Sequence, residues 1–119
     1  MSLKIAGRLF AGPFPVEKTV VRKNHQPAVY AVISREGKPW NPVFRLLEVG
    51  ETGEDGIVFA EHAARPQWEE QAKAGQGAVG IYLYDMARSQ CDAAARQAQV
   101  EEIRARYTPP TGIIPITGM

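Results

Sequence analysis

Three runs of β-branched and aromatic residues, each bounded by Gly, Pro or Asn, organise the middle of this chain. They are Ala28-Val29-Tyr30-Ala31-Val32-Ile33, Val43-Phe44-Arg45-Leu46-Leu47-Glu48-Val49 and Val79-Gly80-Ile81-Tyr82-Leu83-Tyr84. Runs of this length and composition predict strands. The polar link between the first two is too short for a parallel crossover, so it predicts an antiparallel hairpin. Between the second and third runs, Thr52-Gly53-Glu54-Asp55-Gly56 introduces 57–64, which reads as a short helix capped by an acid in its first turn. Pro66 interrupts it and suits the first turn of a second helix over 67–74, which Gly75 and Gly77 close. From 87 to 107 the chain is rich in Ala, Arg, Gln and Glu and predicts one long helix, capped by Asp85 or Ser89. Thr108-Pro109-Pro110 ends it.

The two ends are less regular. Gly7, Gly12, Pro13 and Pro15 break any periodicity over 1–26, which reads as an irregular lead-in packed on the domain through Ile5, Leu9, Phe10 and Phe14, with a short strand near Val20. The apolar tail, 111–119, is expected to fold back as an extended segment. Two segments therefore result: the lead-in at 1–26 and an α+β domain at 27–119, built on a three-stranded antiparallel sheet flanked by helices.

Composition narrows the function classes. At 119 residues the chain suits one domain, and 45% hydrophobic with 23% charged residues excludes a disordered or collagen-like chain. The net charge of +1 supplies no global field toward nucleic acid or anionic lipid, so only a local patch could attract them. Cys91 stands alone, without an internal disulfide partner, and no Cys/His cluster marks a zinc framework. Without a long apolar run the expectation is a cytoplasmic protein with no membrane partner.

One position on the long helix stands out. At about 100° per residue, Cys91, Ala94, Ala95, Ala98, Glu102 and Ala105 share one face, while Val100, Ile103 and Tyr107 form a second apolar stripe. A carboxylate among small residues that lie against a sheet must be paired, hydrated or functional, so Glu102 is a candidate site residue. Arg88, Arg96, Arg104 and Arg106 point several ways round this helix and read as a solvated face. Trp40 and Trp68 read as core or hairpin cover before they read as stacking platforms.

In order along the chain, Ala28-Val29-Tyr30, then Glu48-Val49-Gly50-Glu51-Thr52, then His62, then Glu102 leading into Tyr107-Thr108-Pro109-Pro110, resemble the GIY-YIG nuclease domain. The likeness spans about 27–112, and twelve residues separate Gly50 from His62, close to the family interval. It implies a catalytic set of Tyr30, His62 and Glu102, with Glu102 as ligand of a catalytic Mg²⁺, if activity is retained. The departures are specific. Glu48 replaces the second tyrosine, Val58 occupies the position of the catalytic arginine, and Thr111 or Gly112 stands where the family has an Asn. A valine cannot stabilise developing charge, and loss of such a group costs about 10²–10³ in rate. The expectation is a non-catalytic binding module for nucleic acid or protein, without a tight cofactor, using a cleft between Tyr30, Glu48, His62 and Glu102. One alternative is a divergent metal-dependent phosphodiesterase in which Arg45 or Arg65 replaces the missing arginine. The other is a structural or oligomerising protein, its oligomeric state left open, that uses Ile113-Ile114-Pro115-Ile116 as a contact surface.

Overall fold

The computed structural model describes residues 2–21, 28–38, 40–53, 56–85, 92–109 and 112–114. The three expected strands form as β4 (Ala28–Lys38), β5 (Asn41–Glu51) and β7 (Ala78–Asp85), and each runs longer than its apolar run. They lie side by side and antiparallel, with β4 in the centre. The expected three-stranded sheet is nevertheless overturned. Strands β1 (Ser2–Ile5) and β2 (Arg8–Phe14) extend it beyond β7, and β8 (Ile113–Ile114) extends it beyond β5. The result is a six-stranded antiparallel sheet in the order β1-β2-β7-β4-β5-β8.

The glycines of the N-terminal segment explain the difference. Ala6 and Gly7 both have positive φ, 52° and 79°, and Ile5 pairs with Arg8 across them. Two successive residues of that kind make the tight turn whose twist suits a hairpin, so Gly7 joins two strands where it had read as a breaker. Gly12 and Pro13 fall where the β2–β7 register shifts, between Ala11 and Phe14. The short strand expected near Val20 is present as β3 (Val20–Val21). It pairs with β6 (Ile57–Val58) in a second, two-stranded sheet. Here the helix expected over 57–64 is corrected. The segment is β6 followed by a single 3₁₀ turn, Phe59–Glu61.

Alternation along the central strand divides the interior in two. Val29, Ala31 and Ile33 face one side, where they join Leu3, Ile5, Phe10, Phe44, Leu46, Val49 and Ile114 under α2 (Ala93–Tyr107). Tyr30 and Val32 face the other, with Leu47, Ile81, Phe59 and Val21, under α1 (Arg65–Ala74) and its Trp68 and Ala72. Pro66 stands in the first turn of α1, where its missing N–H costs nothing. Helix α2 starts at Asp92, whose carboxylate accepts the Ala95 N–H at 2.7 Å. The expected caps Asp85 and Ser89 do not serve: Asp85 ends β7, and Ser89 falls outside the described residues. Among the described residues, no helix is long and apolar enough to cross a membrane.

The face that α2 buries is not the alanine stripe. Arg96, Gln99, Val100 and Ile103 are buried, whereas Ala94, Ala98, Glu102 and Ala105 are exposed. The second apolar stripe won because branched side chains remove far more apolar surface from water than methyl groups do. Arg96 can join it because its Nε lies 2.5 Å from Glu51 Oε2, a pairing across 45 residues. A buried guanidinium needs a partner of that kind.

Candidate functional site

The site begins with a close approach between neighbouring strands. Tyr30 sits opposite Gly50 in the β4–β5 register, and its ring lies over that glycine. A Cβ on residue 50 would stand 2.6 Å from the phenol oxygen, so the approach itself demands glycine. One step along, the register shifts: Val32 pairs with Glu48 and Ile33 with Leu46, leaving Leu47 unopposed. This bulge re-aims the strand locally. Leu47 packs into the α1-side core, and Glu48 is close enough for its Oε2 to accept a hydrogen bond from the Tyr30 hydroxyl at 3.3 Å.

His62 arrives from the other direction. Its backbone N–H donates to Phe59 O and closes the 3₁₀ turn, while its ring packs against Trp68 with centroids 4.6 Å apart. The Ala64 N–H donates to Nδ1 at 3.0 Å, which places the neutral ring's proton on Nε2. That Nε2 lies 4.0 Å from Glu48 Oε2. The structure thus gathers Tyr30, Glu48 and His62 around one carboxylate oxygen.

Burial raises the Tyr30 phenol well above its ordinary pKa, and the Glu48 charge and hydrogen bond add to the effect. Glu51 pushes the same way and the Arg104 guanidinium opposes it. A phenol held in its protonated form is a hydrogen-bond donor, not a base or a nucleophile. Arg104 comes from α2, on the opposite face of the sheet. Among the described residues the outer edge of β5 pairs with β8 at Phe44 and Arg45, and the Leu46 N–H donates to Gly112 O at 2.8 Å. Farther along, Arg104 reaches that edge to donate to Val49 O at 3.1 Å. A cleft of about 240 Å³ opens there, lined by Glu48, Gln67, Trp68, Gln71, Arg104 and Pro109. A larger hollow of about 500 Å³, beside Val16, Lys73 and Gln76, contains none of the expected site residues.

The remaining expected residues are elsewhere. Glu102 is half-exposed and pairs with Arg8 of β2 at 2.9 Å. It lies about 200° round α2 from Arg104, so one helix cannot present both to the cleft. Arg45 is held by Glu36 and donates to Gln71 O. Arg65 pairs with Glu69 and donates to Ala60 O. Neither of these arginines makes a bond to Tyr30, Glu48 or His62. Val58 pairs with Val20 in the small sheet, and Thr111 falls outside the described residues. Trp40 is exposed at the hairpin tip beneath Lys38. Among the described residues, no group of three or more His, Cys, Asp or Glu side chains is arranged to hold a metal ion.

Arg104, Gln67 and Gln71 are the site residues that sequence reasoning missed. Gln67 and Gln71 are four apart on α1 and therefore share a face. Arg104 follows Val100 by four and Arg96 by eight, so a buried stripe through Val100 carries it on its flank; the competing alanine stripe hid that signal. Compared with family models, curated proteins and solved structures, the chain matches none of them significantly.

Proposed function

We propose that this chain is a non-catalytic, cytoplasmic module that binds nucleic acid in the cleft beside Tyr30 and Glu48. The observation that carries this reading is Arg104, a cation brought over the sheet edge into a cleft whose other lining groups are two amides, an indole, one carboxylate and the apolar Leu47 and Pro109. A guanidinium with half-exposed surroundings offers paired donors to phosphate or to a base edge. Support for the absence of catalysis comes from Tyr30, whose proton is held against loss, and from Glu102, whose carboxylate is turned toward Arg8. The reading rests on this cleft and not on the GIY-YIG resemblance, whose three-stranded architecture the chain lacks.

The test is fluorescence anisotropy with labelled single- and double-stranded DNA and RNA. Binding is expected to at least one of them at about 50 mM salt, falling steeply toward about 200 mM as phosphate contacts are screened. Arg104→Ala is expected to weaken it by about tenfold or more, the value of one charge-assisted contact. No binding to any of the four at low salt rejects the proposal. Incubation of the same oligonucleotides with Mg²⁺ addresses catalysis; cleavage that Glu102→Gln abolishes would establish the divergent phosphodiesterase instead.

A further inference from the structure

The polar groups of the cleft differ in what they ask of a ligand. We propose, on the basis of the nucleic-acid reading above, that the cleft accepts a single unpaired guanine and reads its Watson–Crick edge with Glu48. Glu48 is the one acceptor-only side chain lining the cleft. Its Oε2 already serves Tyr30, and its Oε1 has no hydrogen bond among the described residues. The other groups are donors or amides. Arg104 presents a guanidinium, Gln67 and Gln71 present amides, and Trp68 is buried with its indole N–H unpartnered among the described residues.

Each base can be compared with that demand. Guanine sets two adjacent donors, N1–H and the 2-amino group, on one edge and the acceptors O6 and N7 beyond them. Adenine, cytosine and uracil each put at least one acceptor where a carboxylate would face it. Arginine is also the usual donor to guanine O6 and N7. A peptide arginine could satisfy Glu48 equally well, but its charge would then meet Arg104. A volume of about 240 Å³ suits one base removed from its stack, which is how single-stranded recognition exposes these edges. Tyr30 acts here as a positioning residue, since its hydroxyl holds the Glu48 carboxylate in place.

The experiment compares a uridine 10-mer with the same oligomer carrying one central guanosine, using the full chain. One guanosine is expected to tighten binding by about tenfold or more, as a good bidentate base contact does. Inosine at that position lacks the 2-amino donor and should lose most of the gain, and Glu48→Gln should bring the ratio of the two affinities close to one. The inosine arm uses the unaltered protein, so it decides the matter even if the variant folds poorly. Equal affinity for the two oligomers, or an inosine oligomer that binds like the guanosine one, overturns the guanine proposal and leaves the nucleic-acid reading standing. Failure of every oligomer to bind overturns the guanine proposal, and the nucleic-acid reading falls with it when the DNA and double-stranded RNA of the anisotropy test also fail.

Discussion

The two faces of the sheet are made by the same strands, yet they are built to different rules. On the α2 side the inward residues of β4 and β5 are apolar from Val29, Ala31 and Ile33 to Phe44, Leu46 and Val49, and Val100 and Ile103 close over them. The polar group that follows, Glu51, is paired with the buried Arg96. On the α1 side Val32, Ile81, Phe59 and Trp68 make a second core, but it gives way at one end to Tyr30, Glu48 and His62. The strand positions differ only in parity. One parity is apolar along most of its length, with its Glu51 paired to Arg96, and can be sealed, whereas the other carries groups that must be hydrogen-bonded or wet. Stability is therefore expected to reside chiefly on the α2 side, and recognition at the polar end of the α1 side.

Ile103→Ala is the most severe way to break that contrast. Ile103 is fully buried at the centre of the α2-side core, and truncation should cost about 2–5 kcal/mol through lost burial and the cavity left behind. Urea denaturation checks this. A loss under about 1 kcal/mol would mean that the α2 side is not the sealed face, because a tightly packed site cannot absorb three missing carbons so easily.

The same contrast separates what could be read from the sequence from what could not. The strand at 28–33 was legible, because β-branched residues crowd a strand buried on both faces, and the pairing of β4 with β5 followed from their short link. The pairing of β7 with β4 spans the intervening helix and left no such mark. Two elements escaped. The β1–β2 hairpin was hidden because Gly7 looks the same to a pattern whether it ends order or turns a corner; only the positive φ of Ala6 beside it distinguishes the two. The buried stripe of α2 was hidden because Arg96 and Gln99 are polar by type, and Glu51, which pairs with the buried Arg96, lies on a strand far away in sequence. At the site, the substitution at Glu48 was legible as a change of chemistry. The bulge at Leu47 that aims it left no mark on composition.

A gentler probe of the polar end is Tyr30→Phe. At neutral pH the variant loses the hydrogen bond to Glu48, worth about 1 kcal/mol. The pH dependence is more diagnostic. Burial, followed by the Glu48 charge and hydrogen bond, raises the phenol in the folded chain, whereas an unfolded tyrosine ionises near ~10. Below that value both states are protonated, and the contribution of Tyr30 is fully present. Above it the unfolded chain releases its proton first, so stability falls as pH rises toward the folded pKa. Phenylalanine has no such loss. The stability gap between the unaltered chain and the variant should thus narrow between about pH 9 and pH 11, as urea midpoints will report. Tyr82, also raised by burial, titrates in both proteins and leaves the difference untouched. A gap that widens over this range would place Tyr30 in an environment that favours its ionised form, contrary to its contacts.

The smallest effect is expected where the resemblance placed the greatest weight. Glu102 and Arg104 are two residues apart on α2, but they reach opposite halves of the sheet, one pairing with Arg8 of β2 and the other bonding to β5. An exposed pair of this kind contributes about 0–1 kcal/mol, because water screens it and two long side chains must be held still. Glu102→Gln should accordingly shift the urea midpoint little. It should also leave oligonucleotide affinity within about twofold, since the substituted group lies outside the cleft. Arg104→Ala should weaken binding about tenfold or more, with a cost in stability of about 1 kcal/mol from the lost hydrogen bond to Val49 O. If Glu102→Gln impaired binding as much as Arg104→Ala, the two flanks of α2 would have to act on one ligand, and the assignment of recognition to the α1 side alone would fail.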